Sequence, residues 1–340
     1  MYSIGYDIGS SSIKCSILDI EKGKAIIQGY YPEQEMQISS PKPGWAEQDP
    51  EIWWEYVKIL TKQLIQKANI DAEQIKSIGI SYQMHGLVVV DKNKKVLRPS
   101  IIWCDSRAVE IGNNAFQNIG EDYCLNNLLN SPGNFTASKL RWIKENEPDI
   151  YKNIYKIMLP GDFIAMKLTD EINTTVSGLS EGIFWDFKSN SISKKILDFY
   201  GIDESLLPDI VPTFSVQGKL TKSAAEELGL KEGVVISYRA GDQPNNAFSL
   251  NVLNPGEIAA TAGTSGVVYA VIDKLNYDKK SRVNQFAHVN HSSEQTRIGV
   301  LLCINGTGIL NSFIRKNMAS DLSYNEMNNL AEKIDIGCDG

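Results

Sequence analysis

Two stretches near the start of the chain alternate apolar and polar side chains with the period of two that is typical of β-strands. Even-numbered positions are apolar in "YSIGYDIG" (2–9), and Ile13, Cys15 and Ile17 are apolar at odd-numbered positions in "SIKCSILD" (12–19). Small polar residues connect these stretches, and "EKGK" (21–24) turns the chain into a third apolar stretch, "AIIQGYY" (25–31). The pattern predicts three consecutive strands joined by short turns.

Apolar positions change to helical spacing after Asp49, a favourable N-cap residue that precedes Pro50 at the first helical position. The expected buried stripe consists of Ile52, Tyr56, Ile59, Leu60 and Leu64. After this helix, "IKSIGIS" (75–81) predicts a further strand. We also predict that "GLVVVD" (86–91) and "VLRPSIIWCD" (96–105) pair across the polar turn between them.

A second unit begins near residue 234 and again mixes strands with helices. Its predicted elements are a strand at 234–240, a short helix from about Asn245, a strand pair around "IAATAGTSGVVYAV" (258–271), a strand at "GVLLCI" (299–304) and a helix from about Gly308. The sequence therefore predicts an α/β protein with one domain at 1–233 and a second at 234–340. Because the second unit lacks a closing strand or helix, we expect it to be incomplete.

Length and composition narrow the function classes only slightly. The chain has 340 residues, which corresponds to two domains at ~150 residues each. Its net charge of −7 gives no reason to expect a nucleic acid or a membrane as partner. The five cysteines form no Cys-x-x-Cys pair, and the first residues lack the pattern of a signal peptide. We therefore expect a cytoplasmic protein with reduced thiols.

Three stretches place small or hydroxylated residues at the end of a predicted strand: "DIGSSSIK" (7–14), "AGDQ" (240–243) and "AGTSG" (262–266). Free amide and hydroxyl groups at such turns bind phosphate oxygens, and nearby carboxylates hold Mg²⁺ and activate a nucleophile. Asp7 and Asp242 supply carboxylates here. Each stretch taken alone is more simply explained as a tight hairpin, so the phosphate interpretation depends on their combination. P-loop and dinucleotide-binding signatures do not occur.

Two further stretches carry the mixture of apolar and polar groups that a small polyol pocket needs. "SYQMHG" (81–86) contains one of the three histidines, and "WCDSR" (103–107) combines an indole, an acid and a guanidinium. Structural roles are the alternative for both stretches. The histidine would then be a buried packing residue, and Asp105 and Arg107 would form a surface ion pair beside a core Trp103.

Together these motifs resemble those of the FGGY family of carbohydrate kinases over essentially all 340 residues. The stretches that carry the resemblance are "YDIGSSSIK" (6–14), "GWAEQDPEIWW" (44–54), "QMHGLVVVD" (83–91), "LRPSIIWCDSR" (97–107), "LPGDFIAMKLT" (159–169), "AGDQ" (240–243) and "GTSGVVYAV" (263–271). Within the family, "QMHG" is similar to the branch that phosphorylates D-xylulose.

The resemblance implies an actin-like ATPase, ribonuclease-H-like sugar kinase fold of two domains around a cleft. It also implies ATP- and Mg²⁺-dependent phosphorylation of D-xylulose to D-xylulose 5-phosphate, with a homodimer left open. Asp242 matches the family's catalytic base, and Asp7 matches the acid that serves Mg²⁺ through water. The other matching residues are Met84, His85, Trp103, Asn134 and Gln243 for the sugar, and Ser11, Ser12, Lys14, Gly263, Thr264 and Gly306 for the nucleotide.

Three alternatives stay open. In the first, the substrate is another pentulose or polyol such as ribulose, because "PNN" (244–246) departs from the smaller residues common in the family. In the second, the protein is an actin-like chaperone or filament protein, and the pocket stretches at 83–86 and 103–107 would then have no purpose. The third is a non-catalytic sugar-binding fragment, because the family's chains continue past this end with the segment that covers adenine and ribose.

Overall fold

A computed structural model describes residues 1–263, 266–304, 306–335 and 337–338. The strands among them are β1 (Tyr2–Ile8), β2 (Ile13–Asp19), β3 (Lys24–Tyr31), β4 (Glu47–Gln48), β5 (Ile75–Tyr82), β6 (Val88–Val90), β7 (Ser100–Ile101), β8 (Lys156–Met158), β9 (Asn173–Thr174), β10 (Trp185–Asp186), β11 (Ser191–Ile192), β12 (Asp209–Ile210), β13 (Phe214–Lys219), β14 (Val235–Gly241), β15 (Ile258–Ala262), β16 (Gly266–Ile272), β17 (Asn284–Ala287) and β18 (Ile298–Ile304).

The α-helices among the same residues are α1 (Pro50–Ala68), α2 (Val109–Ile119), α3 (Glu121–Tyr123), α4 (Thr136–Asn146), α5 (Pro148–Asn153), α6 (Pro160–Thr169), α7 (Val176–Glu181), α8 (Lys194–Tyr200), α9 (Lys222–Leu228), α10 (Asp242–Ser249), α11 (Thr307–Met318) and α12 (Tyr324–Ala331). Short 3₁₀ segments lie at Ala72–Gln74 and Glu204–Leu206, and a π-helical turn lies at Cys124–Leu128. No helix in this part of the chain combines the length and the apolar composition needed to cross a membrane.

The larger sheet has six strands in the order β13-β14-β5-β1-β2-β3. β5 lies parallel to both β1 and β14, whereas β1–β2, β2–β3 and β13–β14 are antiparallel. The three predicted opening strands are thus confirmed. Helices α1, α6 and α9 share one hydrophobic core with this sheet, so one of its faces is buried beneath them.

Helix α1 begins as the sequence predicts, because the Asp49 side chain accepts a hydrogen bond from the amide of Glu51 at 3.0 Å. The predicted stripe is only partly right. Ile52 is 44% exposed, and the helix instead buries Trp53, Trp54, Val57, Leu60, Thr61 and Leu64. The buried face that contains Leu60 and Leu64 leads back by helical spacing to positions 57 and 53, which excludes position 52.

Strand β14 belongs to the larger sheet, although the sequence analysis assigned residues 234–241 to the second domain. The second sheet begins at β15, so the change of sheet falls between α10 and β15 and not after residue 233. Helix α10 begins at Asp242, earlier than the predicted start near Asn245. "AGDQ" (240–243) is therefore a junction between a strand and a helix, and not a hairpin turn.

The second sheet is antiparallel throughout, in the order β15-β16-β18-β17. The predicted strand pair, the strand after it and helix α11 are confirmed, whereas β17 and α12 were not predicted. Side chains from the first part of the chain satisfy the backbone of β17. Asn130 Oδ1 accepts from the amide of Gln285, Ser180 Oγ accepts from the amide of Ala287, and Ser177 Oγ donates to the Ala287 carbonyl, each at 2.9 Å.

The predicted pairing of 86–91 with 96–105 is also only partly right. Isolated bridges join Leu87 to Ile101 and Val90 to Val96. The strands in these two segments pair with other partners: β6 pairs with β8, and β7 pairs with β4. Helices α2, α4 and α8 pack beside these pairs around a second hydrophobic core, which reaches the second sheet at β17 and β18.

Candidate active site

Asp242 is the first residue of α10 and follows Gly241 at the end of β14. Burial, and after it the negative charge of Asp7, raise the pKa of Asp242 to about 7 against the opposing effects of Gln243 and Lys14. Gln243 Nε2 donates a hydrogen bond to Asp242 Oδ2 at 3.2 Å. Because its pKa lies near neutrality, this carboxyl group is suited to accept a proton at physiological pH.

Asp7 and Lys14 lie opposite each other on β1 and β2, and Lys14 Nζ is 2.9 Å from Asp7 Oδ2. Their side chains are 31% and 60% exposed, respectively, so the pair faces water. Both line a cavity of about 670 Å³ on the open face of the larger sheet, together with Asn245 and Phe248 of α10. Asp7 and Lys14 both act electrostatically on Asp242. The two predicted catalytic acids, Asp7 and Asp242, therefore lie in one site.

The turn between β1 and β2, which we call the first hairpin (residues 9–12), is held by side chains from two other segments. Gln48 Nε2 donates to the Ser10 carbonyl at 2.7 Å, and Trp103 Nε1 donates to Ser10 Oγ at 3.2 Å. Ser11 is exposed and Ser12 is half-buried. The hairpin therefore keeps hydroxyl groups accessible at its tip while its backbone is fixed.

In the 103–107 stretch, burial is the opposite of what the structural alternative expected, namely a surface ion pair beside a core Trp103. Trp103 is 53% exposed, whereas the side chains of Asp105 and Arg107 are 0% and 1% exposed. Arg107 Nη2 lies 2.7 Å from Asp105 Oδ2, and its guanidinium stacks 3.7 Å from the ring centre of Trp45. Asn134 Nδ2 donates to the Asp105 carbonyl. The ion pair is thus buried, whereas the indole of Trp103 leaves about half of its surface accessible to a ligand.

Met84 is 5% exposed and packs against Gly241 at the end of β14, directly before Asp242. A Cβ atom added at Gly241 would lie 2.6 Å from Met84 Cγ and 3.2 Å from Glu181 Oε2. Only glycine therefore permits this approach of the two segments. The contact brings the predicted sugar-binding residues of "QMHG" next to the predicted catalytic base.

His85 has a positive φ of 62°, which a non-glycine residue adopts only when its surroundings hold it there. Its Nδ1 atom lies 3.1 Å from the Glu181 backbone oxygen. Its ring centre lies 4.7 Å from that of Phe135 and 5.2 Å from that of Phe286. Burial, and after it the charge of Lys139, lower the pKa of His85 to about 3, so the ring is neutral.

Lys139 was missed by the sequence analysis, although it is fully buried beside His85. Its Nζ donates to the His85 carbonyl at 2.8 Å and to the Ile102 carbonyl at 3.0 Å, and burial lowers its pKa to about 7. It therefore ties the two pocket stretches together. Helical spacing gave a usable signal, because Lys139 lies on the same face of α4 as Thr136 and Ile143.

Glu181 was also missed, and it is 1% exposed. Among the described residues, neither carboxyl oxygen makes a hydrogen bond of normal geometry, although Oε2 lies 3.6 Å from His85 Nδ1. Burial raises the pKa of Glu181 well above its usual range; the Tyr82 hydroxyl opposes this effect and the charge of Asp242 adds to it. No local pattern in "GLSEGIF" (178–184) signals that this acid is buried between His85 and Gly241.

Gly263 and Gly306 are two of the nucleotide-binding residues predicted for the second domain, and they lie after β15 and before α11, respectively. The Gly263 carbonyl accepts from the amide of Gly308 at 3.1 Å, and Gly306 caps α11 with a φ of 105°. Thr264 lies outside the described residues. Within the described ranges, no hydrogen bond or ion pair joins Gly263 or Gly306 to the first hairpin. The structure thus groups Gly263 with Gly306, but it does not connect them directly to Ser11, Ser12 or Lys14.

Comparisons with known proteins agree with this architecture. The model of the N-terminal domain of the FGGY family of carbohydrate kinases matches residues 2–249. The xylulose kinase of Staphylococcus xylosus is 31% identical over 292 residues, which are 84% of this chain and 58% of that protein. The xylulose kinase of Bacillus subtilis (strain 168) is 28% identical over 342 residues, 100% of this chain and 66% of that protein.

A solved xylulose kinase from Rhodospirillum rubrum superposes with a TM-score of 0.90 at 25% identity, covering 100% of this chain and 68% of that chain. The chain thus spans 58% to 66% of the length of the two curated relatives above. The predicted α/β, actin-like sugar kinase fold is confirmed by this superposition. Because the matched family domain covers most of its length, this chain belongs to the FGGY family of carbohydrate kinases.

Proposed function

We propose that the protein transfers the terminal phosphoryl group of ATP to D-xylulose and forms D-xylulose 5-phosphate. The observation that carries this proposal is the position of Asp242, a half-buried carboxyl at a strand-to-helix junction beside Asp7 and next to Met84. The names of the curated relatives support D-xylulose as the substrate, since they are xylulose kinases.

In the proposed reaction, Asp242 accepts the proton of the sugar's terminal hydroxyl while that oxygen attacks the γ-phosphorus. The bond from this phosphorus to the bridging oxygen breaks, and ADP leaves with the electron pair. Gln243 holds the Asp242 carboxylate at 3.2 Å and so orients it. In phosphoryl transfer the base contributes less than positioning and charge neutralisation, typically about 10²–10⁴-fold.

Asp7 fits a magnesium ion that is held through water. Mg²⁺ prefers oxygen ligands, keeps several waters and is usually bound by one or two carboxylates together with substrate phosphates. In the described residues, no group of three or more His, Cys, Asp or Glu side chains is arranged to hold a metal. Asp7, 31% exposed at the edge of the cavity, supplies a single carboxylate of this kind. The ion would neutralise charge on the phosphate oxygens.

Exposed polar groups of the first hairpin are our candidates for binding the ATP phosphates. Ser11 and Ser12 offer hydroxyls there, and Lys14 offers a cation. From the second domain we propose the backbone of Gly263 and Gly306, together with Thr264. A homodimer and a cytoplasmic location stay predictions from the sequence.

The sugar pocket is proposed to include Met84, His85, Trp103, Asn134 and Gln243. Apolar surface from Met84 and Trp103 would cover the carbon skeleton, and the polar side chains would bind hydroxyls. Lys139 connects the carbonyls of His85 and Ile102, so the two walls of this pocket are fixed relative to each other. This arrangement supports recognition of a small polyol.

The direct test is to measure ADP release with Mg·ATP and a panel of D-xylulose, D-ribulose, glycerol and gluconate. We expect the highest kcat/KM for D-xylulose. A higher value for D-ribulose would reassign the substrate within the pentuloses, and no sugar-dependent ADP release would reject the kinase assignment for this chain. Asp242→Asn should lose turnover with every sugar, whereas Asp209→Asn, an exposed aspartate on β12, should retain it.

A further inference from the structure

Ser10 in the first hairpin is held at two of its atoms by side chains from other segments. Its carbonyl oxygen accepts a hydrogen bond from Gln48 Nε2 at 2.7 Å, and its Oγ atom accepts one from Trp103 Nε1 at 3.2 Å. Gln48 is buried, whereas about half of the Trp103 surface is exposed. One of the two contacts is therefore fixed inside the protein, and the other lies on a side chain that a ligand can reach.

The orientation of the Gln48 amide is determined by two partners whose roles are unambiguous. The indole of Trp53 can only donate, and its Nε1 lies 3.2 Å from Gln48 Oε1. The Ser10 carbonyl can only accept, and it lies on the Nε2 side. The amide oxygen thus faces Trp53, and the amide nitrogen faces the hairpin. Gln83 Nε2 lies 3.4 Å from the same oxygen and therefore donates to it as well.

The bond from Gln48 also determines where the next amide of the hairpin points. In a trans peptide, the carbonyl of one residue and the N–H of the next residue point in opposite directions. Because the Ser10 carbonyl points at the buried Gln48, the Ser11 N–H points away from it. Among the described residues, the Ser11 amide meets no hydrogen-bond acceptor, and Ser11 is exposed. A free amide in this orientation is suited to bind a phosphate oxygen.

Gln83 connects Gln48 with the stretch that is proposed to bind the sugar. It is buried, and it lies directly after β5 and directly before Met84 and His85. Its backbone amide donates to the carbonyl of Ile8, the last residue before the hairpin, at 2.9 Å. Its side-chain contact with Gln48 is long at 3.4 Å, since ordinary N–H···O hydrogen bonds measure about 2.7–3.2 Å. This contact therefore has room to shorten.

We propose that Gln48 is a positioning residue that fixes the first hairpin relative to the sugar pocket, so that sugar and nucleotide each strengthen the binding of the other. A sugar that packs against Trp103 and residues 84–85 restricts both side chains that hold Ser10. The hairpin then needs less ordering when the phosphates bind, which is measured as positive coupling between the two ligands. That these ligands are D-xylulose and ATP rests on the proposed function.

The first experiment measures the Kd of the Mg²⁺ complex of a non-hydrolysable ATP analogue, with and without saturating D-xylulose. In the wild type, D-xylulose should lower this Kd by at least about 5-fold, and the analogue should lower the Kd of D-xylulose by the same factor. Gln48→Met keeps the length of the side chain but removes both polar atoms. The coupling should be lost in this variant, while the Kd of D-xylulose alone stays close to the wild-type value.

The matched control is Gln217→Met. Gln217 is also a buried glutamine, and its Nε2 donates to the carbonyls of Pro212 and Thr213 at 3.0 Å and 2.9 Å. It lies on β13, at the edge of the larger sheet. Both variants should lower the unfolding free energy, but only Gln48→Met should lose the coupling. Equal coupling factors in Gln48→Met and in the wild type would show that Gln48 has only a structural role, and the proposal would be overturned.

The second experiment needs no variant of Gln48. Protein labelled with ¹⁵N-serine is titrated with D-xylulose in the absence of nucleotide, and Ser11→Ala assigns the signal of the Ser11 amide. This signal should shift as the sugar binds, although Ser11 is not part of the proposed sugar pocket. An unchanged Ser11 signal at saturating sugar, or independent binding of the two ligands to the wild type, would overturn the proposal even if Gln48→Met failed to fold.

The two proposals fail in different ways. If a sugar yields ADP but sugar and nucleotide bind independently, the role of Gln48 is wrong and the kinase assignment stands. If the coupling depends on Gln48 but no sugar yields ADP, the proposed function is wrong and the role of Gln48 stands. If D-xylulose does not bind, the same titrations are made with D-ribulose, glycerol and gluconate. Both proposals fail if none of these sugars binds, or if the wild type binds no nucleotide in either condition.

Discussion

The sugar side and the phosphate side of the candidate site are built differently. Around His85, the side chains of Met84, Lys139 and Glu181 are at most 5% exposed and are packed or hydrogen-bonded to protein. In the first hairpin, the hydroxyl of Ser11 is exposed and Lys14 is 60% exposed. The sugar side is thus organised before any ligand arrives, whereas the phosphate side keeps its binding groups in water.

This difference predicts where substitutions act. Groups that the fold has already desolvated contribute to the stability of the protein as well as to binding, and removing one leaves its buried partner unsatisfied. Groups in water contribute to binding alone, and their removal leaves the fold intact. Substitutions on the sugar side should therefore change both stability and sugar affinity, and substitutions on the phosphate side should change nucleotide affinity only.

Asp242 lies at the border of the two sides, and its substitution should have the largest effect. Asp242→Asn removes the proton acceptor at nearly constant shape, so kcat should fall by about 10²–10⁴-fold while sugar binding persists. Burial and Asp7 raise the pKa of this carboxyl to about 7, so wild-type activity should fall as the pH drops below about 7 and Asp242 takes up a proton. Steady-state kinetics from pH 5.5 to pH 9 test both expectations.

The matched control for Asp242 is Asp209→Asn, which changes an exposed aspartate on β12. Its kcat and its acidic limb should equal those of the wild type. Unchanged kcat in Asp242→Asn would remove this residue from the role of base. An acidic limb well below pH 7 in the wild type would instead contradict the raised pKa, and with it the electrostatic link between Asp7 and Asp242.

Lys139→Met should have the second-largest effect, on stability. The variant leaves the carbonyls of His85 and Ile102 without their donor, which costs about 1–3 kcal/mol of unfolding free energy for each group that stays buried and unpaired. We measure unfolding in urea at pH 7 and pH 9.5. Lys58→Met, a lysine of a surface ion-pair cluster, is the control and should lose little.

The pH dependence of this stability has a definite sign. Burial lowers the pKa of Lys139 to about 7 in the folded state, whereas an unfolded lysine titrates near ~10.4. Between these values the unfolded chain binds more protons, so this group increases wild-type stability as the pH rises from about 7 to about 10. The difference between wild type and Lys139→Met should therefore be larger at pH 9.5 than at pH 7. An equal difference would contradict the lowered pKa.

His85→Asn should raise the KM for the sugar by roughly 5- to 100-fold, which corresponds to loss of a hydrogen bond and exposure of its unpaired partner. The change in kcat should be small, because the imidazole of His85 would contact the sugar equally in the ground state and in the transition state. His291→Asn is the matched control and should leave both constants unchanged. An unaltered KM in His85→Asn would show that His85 makes no specific contact with the sugar and only packs against its neighbours.

Local features of the fold could be predicted from the sequence, because neighbouring residues determine them. The strand pairs joined by short turns at the start of the chain and the Asp49–Pro50 start of α1 are confirmed for this reason. The sequence placed residues 234–241 in the second domain, whereas β14 lies in the larger sheet. Its partners β5 and β13 are chosen by long-range pairing, which no residue within the strand itself encodes.

The same distinction between local and long-range features holds for the residues of the candidate site. Asp7, Met84, His85 and Asp242 occur in short motifs that mark a family, so they could be named from the sequence. Glu181 was missed because its importance lies in burial, and burial depends on which segments fold over it, whereas helical spacing could have placed Lys139 on the buried face of α4. The 103–107 stretch shows the same limit. Its residues were identified, but the structural alternative expected a surface ion pair beside a core Trp103, whereas the ion pair is buried and Trp103 is exposed.

The smallest effect is expected for Ser11→Ala. The substitution removes one exposed hydroxyl, and a single neutral hydrogen bond to phosphate corresponds to a KM for ATP that rises roughly 2- to 10-fold. The unfolding free energy and the KM for the sugar should match the wild type, as should every constant of the control Ser40→Ala, another exposed serine. If Ser11→Ala instead destabilised the protein as much as Lys139→Met, the hairpin would be a packed structural turn. The contrast between a preorganised sugar side and a hydrated phosphate side would then be lost.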